Sequence, residues 1–527
     1  MIDLDWACPY PSGRSPVFAR NIVATSQPLA AGAGVNILRR GGNAVDAAVA
    51  AAITLTVVEP ANNGIGSDAF ALVHDGQSLH GLNASGRSPA KMYPERFKNQ
   101  KNMPTLGWDS VTVPGAVSAW VSLSERFGAL PFEALFSDAV RYAREGFQVG
   151  PKTAAIWQHA TKQFADFPTF QKTFAPGGRA PLTGEIIRLP DHAKTLESIA
   201  ATNGESFYKG PLALAMAEAS KKEKGTLTQE DLAKHKAEWV EPISMNAFDA
   251  ELNEIPPNGQ GLMALMSLGI LKHCLDDEAL DSADSIHLQI EAQRIAYTEM
   301  AAYLGDPDYM QLSVKQLLDP EYLKVRASTI NKNKANTSSV LMGASDDTVY
   351  LTACDANGLM VSMIQSNYRG FGSGVVIPNT GISMQNRGSG FVLTPGHPNQ
   401  VGPGKKPFHT IIPGFITRSG SPFMSFGVMG GHMQAQGHLQ MMLRVMHYGQ
   451  NPQAALDAPR WHVMENGKVA LEDGIENTVI EDLKSRGHDI VTHCPQYLFG
   501  GGQAIIKMAD GYCGGSDHRK EGLATGF

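Results

Sequence analysis

Apolar positions near the start of the chain recur at helical spacing. Residues 28–57 carry Ala, Val and Leu in a pattern that predicts two buried helices separated by Gly41-Gly42. The longest apolar stretch, Ala44 to Val58, is interrupted by Asp46, Thr54 and Thr56, so a buried helix explains it and a membrane span does not. From Leu72 to Leu82 the period changes to two around Asp75-Gly76, which predicts a hairpin. Residues 115–330 return to a largely helical pattern, with breaks at Pro151, Pro176-Gly177-Gly178, Pro190 and the run Pro256 to Gly261. The segment Lys332 to Ser345 is polar and short of core residues and reads as a mobile linker. Beyond it the chain is β-rich, with one helix from about Gln434 to Tyr448. No internal repeat or low-complexity tract stands out.

The change of pattern falls on the most informative stretch. Thr348 opens a strand, Asp355 to Gly358 forms a turn, Leu359 to Ser366 forms a second strand, and a glycine-rich loop runs through Gly370-Phe371-Gly372-Ser373-Gly374. A β-branched residue is an ordinary way to begin a strand. After a polar linker, however, a backbone cut before Thr348 would expose an α-amine beside its own hydroxyl. Such an amine can serve as general base, so a threonine can act as nucleophile without a histidine.

Composition narrows the classes. Length alone, 527 residues, suggests three or four domains, a soft expectation. A hydrophobic share of 43% supports a large core, and 54 glycines point to tight turns and close backbone approaches. A net charge of −7 with both signs spread along the chain predicts neither a nucleic-acid surface nor a membrane partner. Met1 to Pro9 holds two acids and no basic-then-apolar signal region, and the five cysteines are scattered without paired spacing. Both point to a reducing, cytoplasmic setting. His432 and His438 lack HExxH spacing, no GxSxG elbow occurs, and the loop after Arg369 is not GxGxxG, so neither a metal nor a cofactor is expected.

A set of short motifs runs the length of the chain in one order: Ala24-Thr25-Ser26-Gln27-Pro28, Gly41-Gly42-Asn43-Ala44-Val45-Asp46-Ala47-Ala48, Val58-Glu59-Pro60, Gly64-Ile65-Gly66, Thr112-Val113-Pro114-Gly115, Met429-Gly430-Gly431, Ala458-Pro459-Arg460 and Gly514-Gly515-Ser516-Asp517. In order and spacing they resemble the γ-glutamyltransferase family, N-terminal-nucleophile hydrolases made as a precursor that cuts itself. The resemblance implies an α+β fold, a four-layer αββα sandwich. It implies cleavage between Asp347 and Thr348 into a large chain, 1–347, and a small one, 348–527, which stay together as a heterodimer within one structural domain. The resemblance extends to a further pairing of this heterodimer into a dimer of heterodimers.

Carried over position by position, the resemblance makes Thr348 the nucleophile and Ser366 the hydroxyl that aligns it, where relatives more often carry threonine. Gly430 and Gly431 match the oxyanion-hole glycines, whose backbone N–H groups can approach a tetrahedral oxyanion only where no side chain intervenes. The amino-acid clamp departs from the family's pattern. Ser85 stands where relatives acting on glutathione place an arginine, with Arg87 two residues away. Gly390 stands where they place the aspartate before phenylalanine, and His409-Thr410 replaces the paired serines. An unpaired charged head group is costly to bury, which argues against a γ-glutamyl donor.

Arg369, three residues after Ser366, is the expected replacement, gripping a substrate carboxylate bidentately, with Arg87, Asn367, Tyr368, His409 and Thr410 as its neighbours. This pattern is similar to the cytoplasmic branch of the family that includes oxamate amidohydrolase of purine degradation, beside cephalosporin-acylase-like neighbours. It implies hydrolysis of a small acidic amide, with oxamate, giving oxalate and ammonia, the leading candidate. The alternatives are a γ-glutamyl hydrolase or transferase, a glutaryl- or cephalosporin-type acylase, and an uncut scaffold that binds small ligands without catalysis.

Overall fold

A computed structural model of the chain describes residues 13–336 and 348–527. Asp347, most of the expected linker, and Met1 to Pro9 with Cys8 lie outside the described residues.

Two seven-stranded antiparallel sheets form the centre. The first runs, in spatial order, Leu523–Gly526, Ile22–Thr25, Val349–Cys354, Met360–Ser366, Asp68–His74, Leu79–Asn83, Glu238–Val240. The second runs Val17–Ala19, Gly511–Ser516, Gly501–Met508, Ser421–Met429, Gly414–Arg418, Ala250–Glu254, Ile243–Ala247. Strands from both sides of position 348 interleave in each sheet.

The period-two alternation of side chains sorts these strands into layers. Val349, Leu351, Ala353, Ala69, Ala71 and Val73 point into an outer core shared with the helices Pro28–Arg39, Ala44–Val58 and Ala116–Phe127. Their alternates Tyr350, Cys354, Phe70 and Leu72 point the other way, into an inner core shared with Phe415, Met429 and Ile505 of the second sheet. The far face of the second sheet, including Leu252, Ile416, Phe426 and Ala504, packs against Gly261–Leu271, Ala283–Tyr303 and Met433–Met442. Helix, sheet, sheet, helix is therefore the layer order, a four-layer αββα sandwich. Each fully buried Phe or Ile in the inner layer contributes ~1.5–3 kcal/mol.

The helix Ala44–Val58 is buried along its whole length. Each of its three polar interruptions is hydrogen-bonded in place: Asp46 closes a capping box with Asn43, Thr54 donates to the Ala50 carbonyl at 2.8 Å, and Thr56 donates to that of Ile53 at 2.7 Å. Three sequence expectations need correction. Pro151 and Pro190 start helices rather than break them, because the first helical turn needs no N–H from proline. The region expected to be largely helical contains the strands Glu238–Val240, Ile243–Ala247 and Ala250–Glu254, runs of three to five residues being too short to stand out as a period. The helix expected over Gln434 to Tyr448 is α-helical only over Met433–Met442. It then widens into a π-helical turn, Leu443–His447, before Gly449 adopts a left-handed φ of 67°.

Candidate active site

Sheet register assembles the first part of the site. Val349 pairs with Gln365 and Ser366 with Asp68, so Thr348, Ser366 and Asp68 stand abreast on the face turned toward the second sheet. Thr348 is 1% exposed. Its hydroxyl donates to Ser366 Oγ at 3.1 Å, and Ser366 Oγ also accepts the Tyr368 N–H at 2.8 Å.

The facing strand, Ser421–Met429, brings up the glycine pair. Thr352 and Ser425 share a hydroxyl hydrogen bond at 2.6 Å. Two residues on, the Tyr350 ring lies over Gly427, where an added Cβ would come within 2.4 Å of it. Continuing that step along both strands sets Thr348 opposite Met429 and Gly430. The chain leaves the sheet there and enters the helix Met433–Met442 through Gly430 (φ 123°) and Gly431 (φ 56°). At Gly430 an added Cβ would sit 2.9 Å from Gly500 Cα, so both conformation and space demand glycine. The Gly431 carbonyl accepts from Gln260 Nε2 at 2.8 Å, and the same amide reaches the Thr410 carbonyl.

Behind Ser366 lies a buried charged cluster that sequence reasoning missed. Asp68 Oδ1 accepts the N–H groups of Gly86 and Gly115, at 3.3 and 3.0 Å. Asp68 Oδ2 meets His409 Nε2 at 3.1 Å. Burial pushes the Asp68 carboxyl up to about 7, against the pull of Arg387 and these N–H groups. Burial, with Arg387 nearby, holds His409 well below its ordinary value, so the pair favours its neutral form. Arg387, fully buried, donates to Thr410 Oγ1 at 2.8 Å, and its guanidinium carbon stands 4.0 Å from the centre of the Tyr368 ring. Tyr368 has a left-handed φ of 78°, a conformation costing ~1–3 kcal/mol in a non-glycine residue and held here by the stacked guanidinium. The available signals were slight: Asp68 is a lone acid on the strand face that carries Phe70 and Leu72, and Arg387 a lone cation in a glycine- and amide-rich run.

Tyr368 and Arg369 open onto a cleft of about 940 Å³ whose other walls include Gly390, Phe391, Phe408 and His432. Glu465 also lines it; burial raises its carboxyl while the Arg369 charge opposes the rise. His432 stacks on Phe408. Burial, His462 and the two arginines lower it to about 3, so it is neutral near pH 7.

The remaining sequence-predicted residues are placed differently. Arg87 does not line this cleft: it pairs with Asp306 at 3.2 Å and Glu238 at 3.6 Å in a neighbouring one. Asn367 is buried with its amide engaged by Ser67 (2.9 Å) and Ser383 (3.3 Å), which makes it a loop brace. His409 is turned into the core toward Asp68, and Thr410 holds Arg387. Ser85, at the family's clamp position, donates to Asn83 Oδ1 at 2.7 Å and is buried. Among the described residues one set of three side chains could hold a metal, His287, Glu291 and His488, and none of them lines this cleft.

The sequence profile described as Gamma-glutamyltranspeptidase matches residues 30–527. The chain belongs to that family. It is an N-terminal-nucleophile hydrolase acting on amide bonds. It is 33% identical to the glutathione hydrolase-like YwrD proenzyme of Bacillus subtilis, over 98% of this chain and 100% of that one. It is also 33% identical to the oxamate amidohydrolase proenzyme of Klebsiella pneumoniae, over 97% of this chain and 99% of that one. Among solved structures, the cephalosporin acylase from Bacillus halodurans superposes with a TM-score of 0.96 at 46% identity, covering 100% of this chain and 99% of that one. No helix among the described residues is long and apolar enough to cross a membrane.

Proposed function

We propose that the chain cuts itself between Asp347 and Thr348 into fragments 1–347 and 348–527, and that Thr348 then hydrolyses the amide of a small carboxylate-bearing substrate. The observation that carries this reading is the Thr348 hydroxyl donating to Ser366 Oγ, with the left-handed Gly430-Gly431 turn at the end of the facing strand Ser421–Met429. In the precursor, Thr348 Oγ attacks the Asp347 carbonyl, an N-to-O acyl shift frees the Thr348 amine and leaves an ester, and water hydrolyses that ester to the Asp347 carboxylate and the Thr348 hydroxyl. In turnover that amine accepts the hydroxyl proton while Oγ attacks the substrate carbonyl. The N–H groups of the glycine turn stabilise the oxyanion, worth ~3–4 kcal/mol per donor. Ammonia or an amine departs, and water hydrolyses the acyl-threonine.

Arg369 at the cleft mouth supplies the carboxylate anchor, with Tyr368 and the Arg387–Thr410 pair shaping the floor. Oxamate is the leading short substrate. A glutaryl- or cephalosporin-type acyl amide is the second reading, favoured by a cleft whose volume suits a drug-sized ligand better than a two-carbon acid. The absence of an arginine at Ser85 and of a carboxylate at Gly390 weighs against a γ-glutamyl head group.

The test pairs processing with turnover. A cut chain runs as fragments of 347 and 180 of the 527 residues, about 37 and 19 kDa of the 56.5 kDa total, while Thr348→Ala stays whole. Cleavage of Thr348→Ala at the same bond would refute the self-processing mechanism. Ammonia or amine release from oxamate, a glutaryl amide and a γ-glutamyl anilide then separates the readings. Turnover of the anilide alone would overturn the anchor assignment.

A further inference from the structure

A second cluster, outside the cleft, carries chemistry that amide hydrolysis does not use. His287 and Glu291 lie four residues apart on the helix Ala283–Tyr303, hence on one face, and His488 comes to them from the turn after the helix Asn477–Ser485. All three are buried, and one ligand atom from each falls within 4.8 Å of the others. His287 Nε2 meets the Asn331 carbonyl at 2.8 Å. A carbonyl can only accept, so Nε2 carries the proton and Nδ1 presents a lone pair into the cluster. That Nδ1 stands 2.8 Å from His488 Nε2, two nitrogens sharing one proton. Glu291 Oε2 accepts the Asn336 N–H at 3.0 Å, whereas Oε1 is buried without a hydrogen-bond partner among the described residues.

We propose that His287 Nδ1, His488 Nε2 and Glu291 Oε1 form a binding site for a divalent transition metal, zinc by the chemistry of its donors. Two imidazoles and a carboxylate are a common zinc set, and donor atoms about 3.3 Å apart follow from tetrahedral bonds of about 2.0 Å. As the cation enters, the shared proton shifts from His488 Nε2 to His488 Nδ1, so both imidazoles stay neutral, and a proton held by the Glu291 carboxyl leaves to solvent. Burial lowers both histidines, His488 to about 3, and raises Glu291 to about 7, so near pH 7 the imidazoles are uncharged donors. Two arginines face the site. Arg486 is balanced by Asp284 and Asp482, each at 2.6 Å. Arg294, 3.8 Å from Glu291 Oε1, is beyond hydrogen-bonding distance and donates to the Gly467 carbonyl at 2.6 Å, so Oε1 can turn to a metal while that bond persists.

The site has a structural consequence. His287 and Glu291 precede position 348 and His488 follows it, and the hydrogen bonds at Asn331 and Asn336 tie the cluster to the end of the described segment before the expected cut. A metal here would pin the two fragments together and fix the tail of the larger one.

The full chain, cut or uncut, is stripped with a chelator and titrated with Co²⁺, then with Zn²⁺. We expect one equivalent of Co²⁺ with the visible absorption of a low-coordinate site, displaced by Zn²⁺. Glu291→Gln and His488→Gln are each expected to weaken binding by at least about 100-fold, more than second-sphere changes do. Zn²⁺ should raise the urea concentration that separates the fragments in the wild-type chain and not in the variants. No stoichiometric Co²⁺ spectrum in the wild-type chain overturns the proposal, and this arm decides even if a variant misfolds. Undiminished binding in both variants also overturns it, placing the metal elsewhere. Neither arm depends on which amide is cleaved.

Discussion

Replacing Ser366 by alanine removes one oxygen from the middle of the Thr348–Ser366–Asp68 row. Two hydrogen bonds go with it, from the Thr348 hydroxyl at 3.1 Å and from the Tyr368 N–H at 2.8 Å. The first is worth ~1 kcal/mol net, and the buried N–H left behind costs a further ~1–3 kcal/mol, so the folded chain should lose about 2–4 kcal/mol. The cost to chemistry should be larger than the first bond alone implies. With its acceptor gone, the Thr348 hydroxyl is free to rotate, and a displacement near 1 Å in a reacting group costs ~100-fold in rate. Tyr368, already at a left-handed φ, loses the anchor at its own nitrogen, which loosens the cleft wall as well. The assay is a time course of the intact 56.5 kDa band after synthesis, followed by kcat on whichever amide the wild-type enzyme cleaves. Ser366→Ala should process and turn over about 100-fold more slowly, and Ser366→Thr, which restores the hydroxyl, should recover most of both. Processing by Ser366→Ala at the wild-type rate would refute the assignment of Ser366 as the aligning group.

Three further outcomes are expected. Gly430→Ala, which forces a side chain into a φ of 123° and to within 2.9 Å of Gly500 Cα, should lose ~1–3 kcal/mol of stability and process poorly, measured by thermal unfolding and band intensity. Arg369→Ala should leave processing intact and lower kcat/KM for a carboxylate-bearing substrate by about 10–100-fold, the worth of a charge-assisted pair, and an unchanged kcat/KM would remove Arg369 from the site. Burial raises Glu59 from 4.5 to about 7 against hydrogen bonds from Ser26 at 2.6 Å and Asn62 at 2.5 Å. The unfolded chain therefore ionises Glu59 first, the folded chain keeps the extra proton, and stability falls as pH rises from about 4.5 to 7. Across that window Glu59→Gln should gain about 3 kcal/mol relative to the wild-type chain, seen as a pH-dependent difference in Tm; a pH-independent offset would contradict it.

The parts of this protein that depend on neighbours in the chain were legible in its sequence. Thr348 and Ser366 are joined by a hairpin whose turn, with Gly358 at φ 94°, is written in Asp355 to Gly358, so alternation alone brings the two hydroxyls onto one face. The Gly430-Gly431 turn before a helix was visible for the same reason, and so was the helix pair around Gly41-Gly42. The layer order and the family came from resemblance, because no local period states how two sheets stack. Tertiary structure alone decided the rest. Asp68 meets Ser366 through sheet register and His409 across 341 residues of chain. Arg87 was expected beside Arg369, but the pull of Asp306, 219 residues away, holds it at another cleft. His287 and His488, 201 residues apart, touch only because a helix and a turn pack against each other. Charges and hydrogen bonds buried at such distances obey the same electrostatics as local ones. A single sequence records the groups and leaves their partners to the packing of the two sheets and their helices.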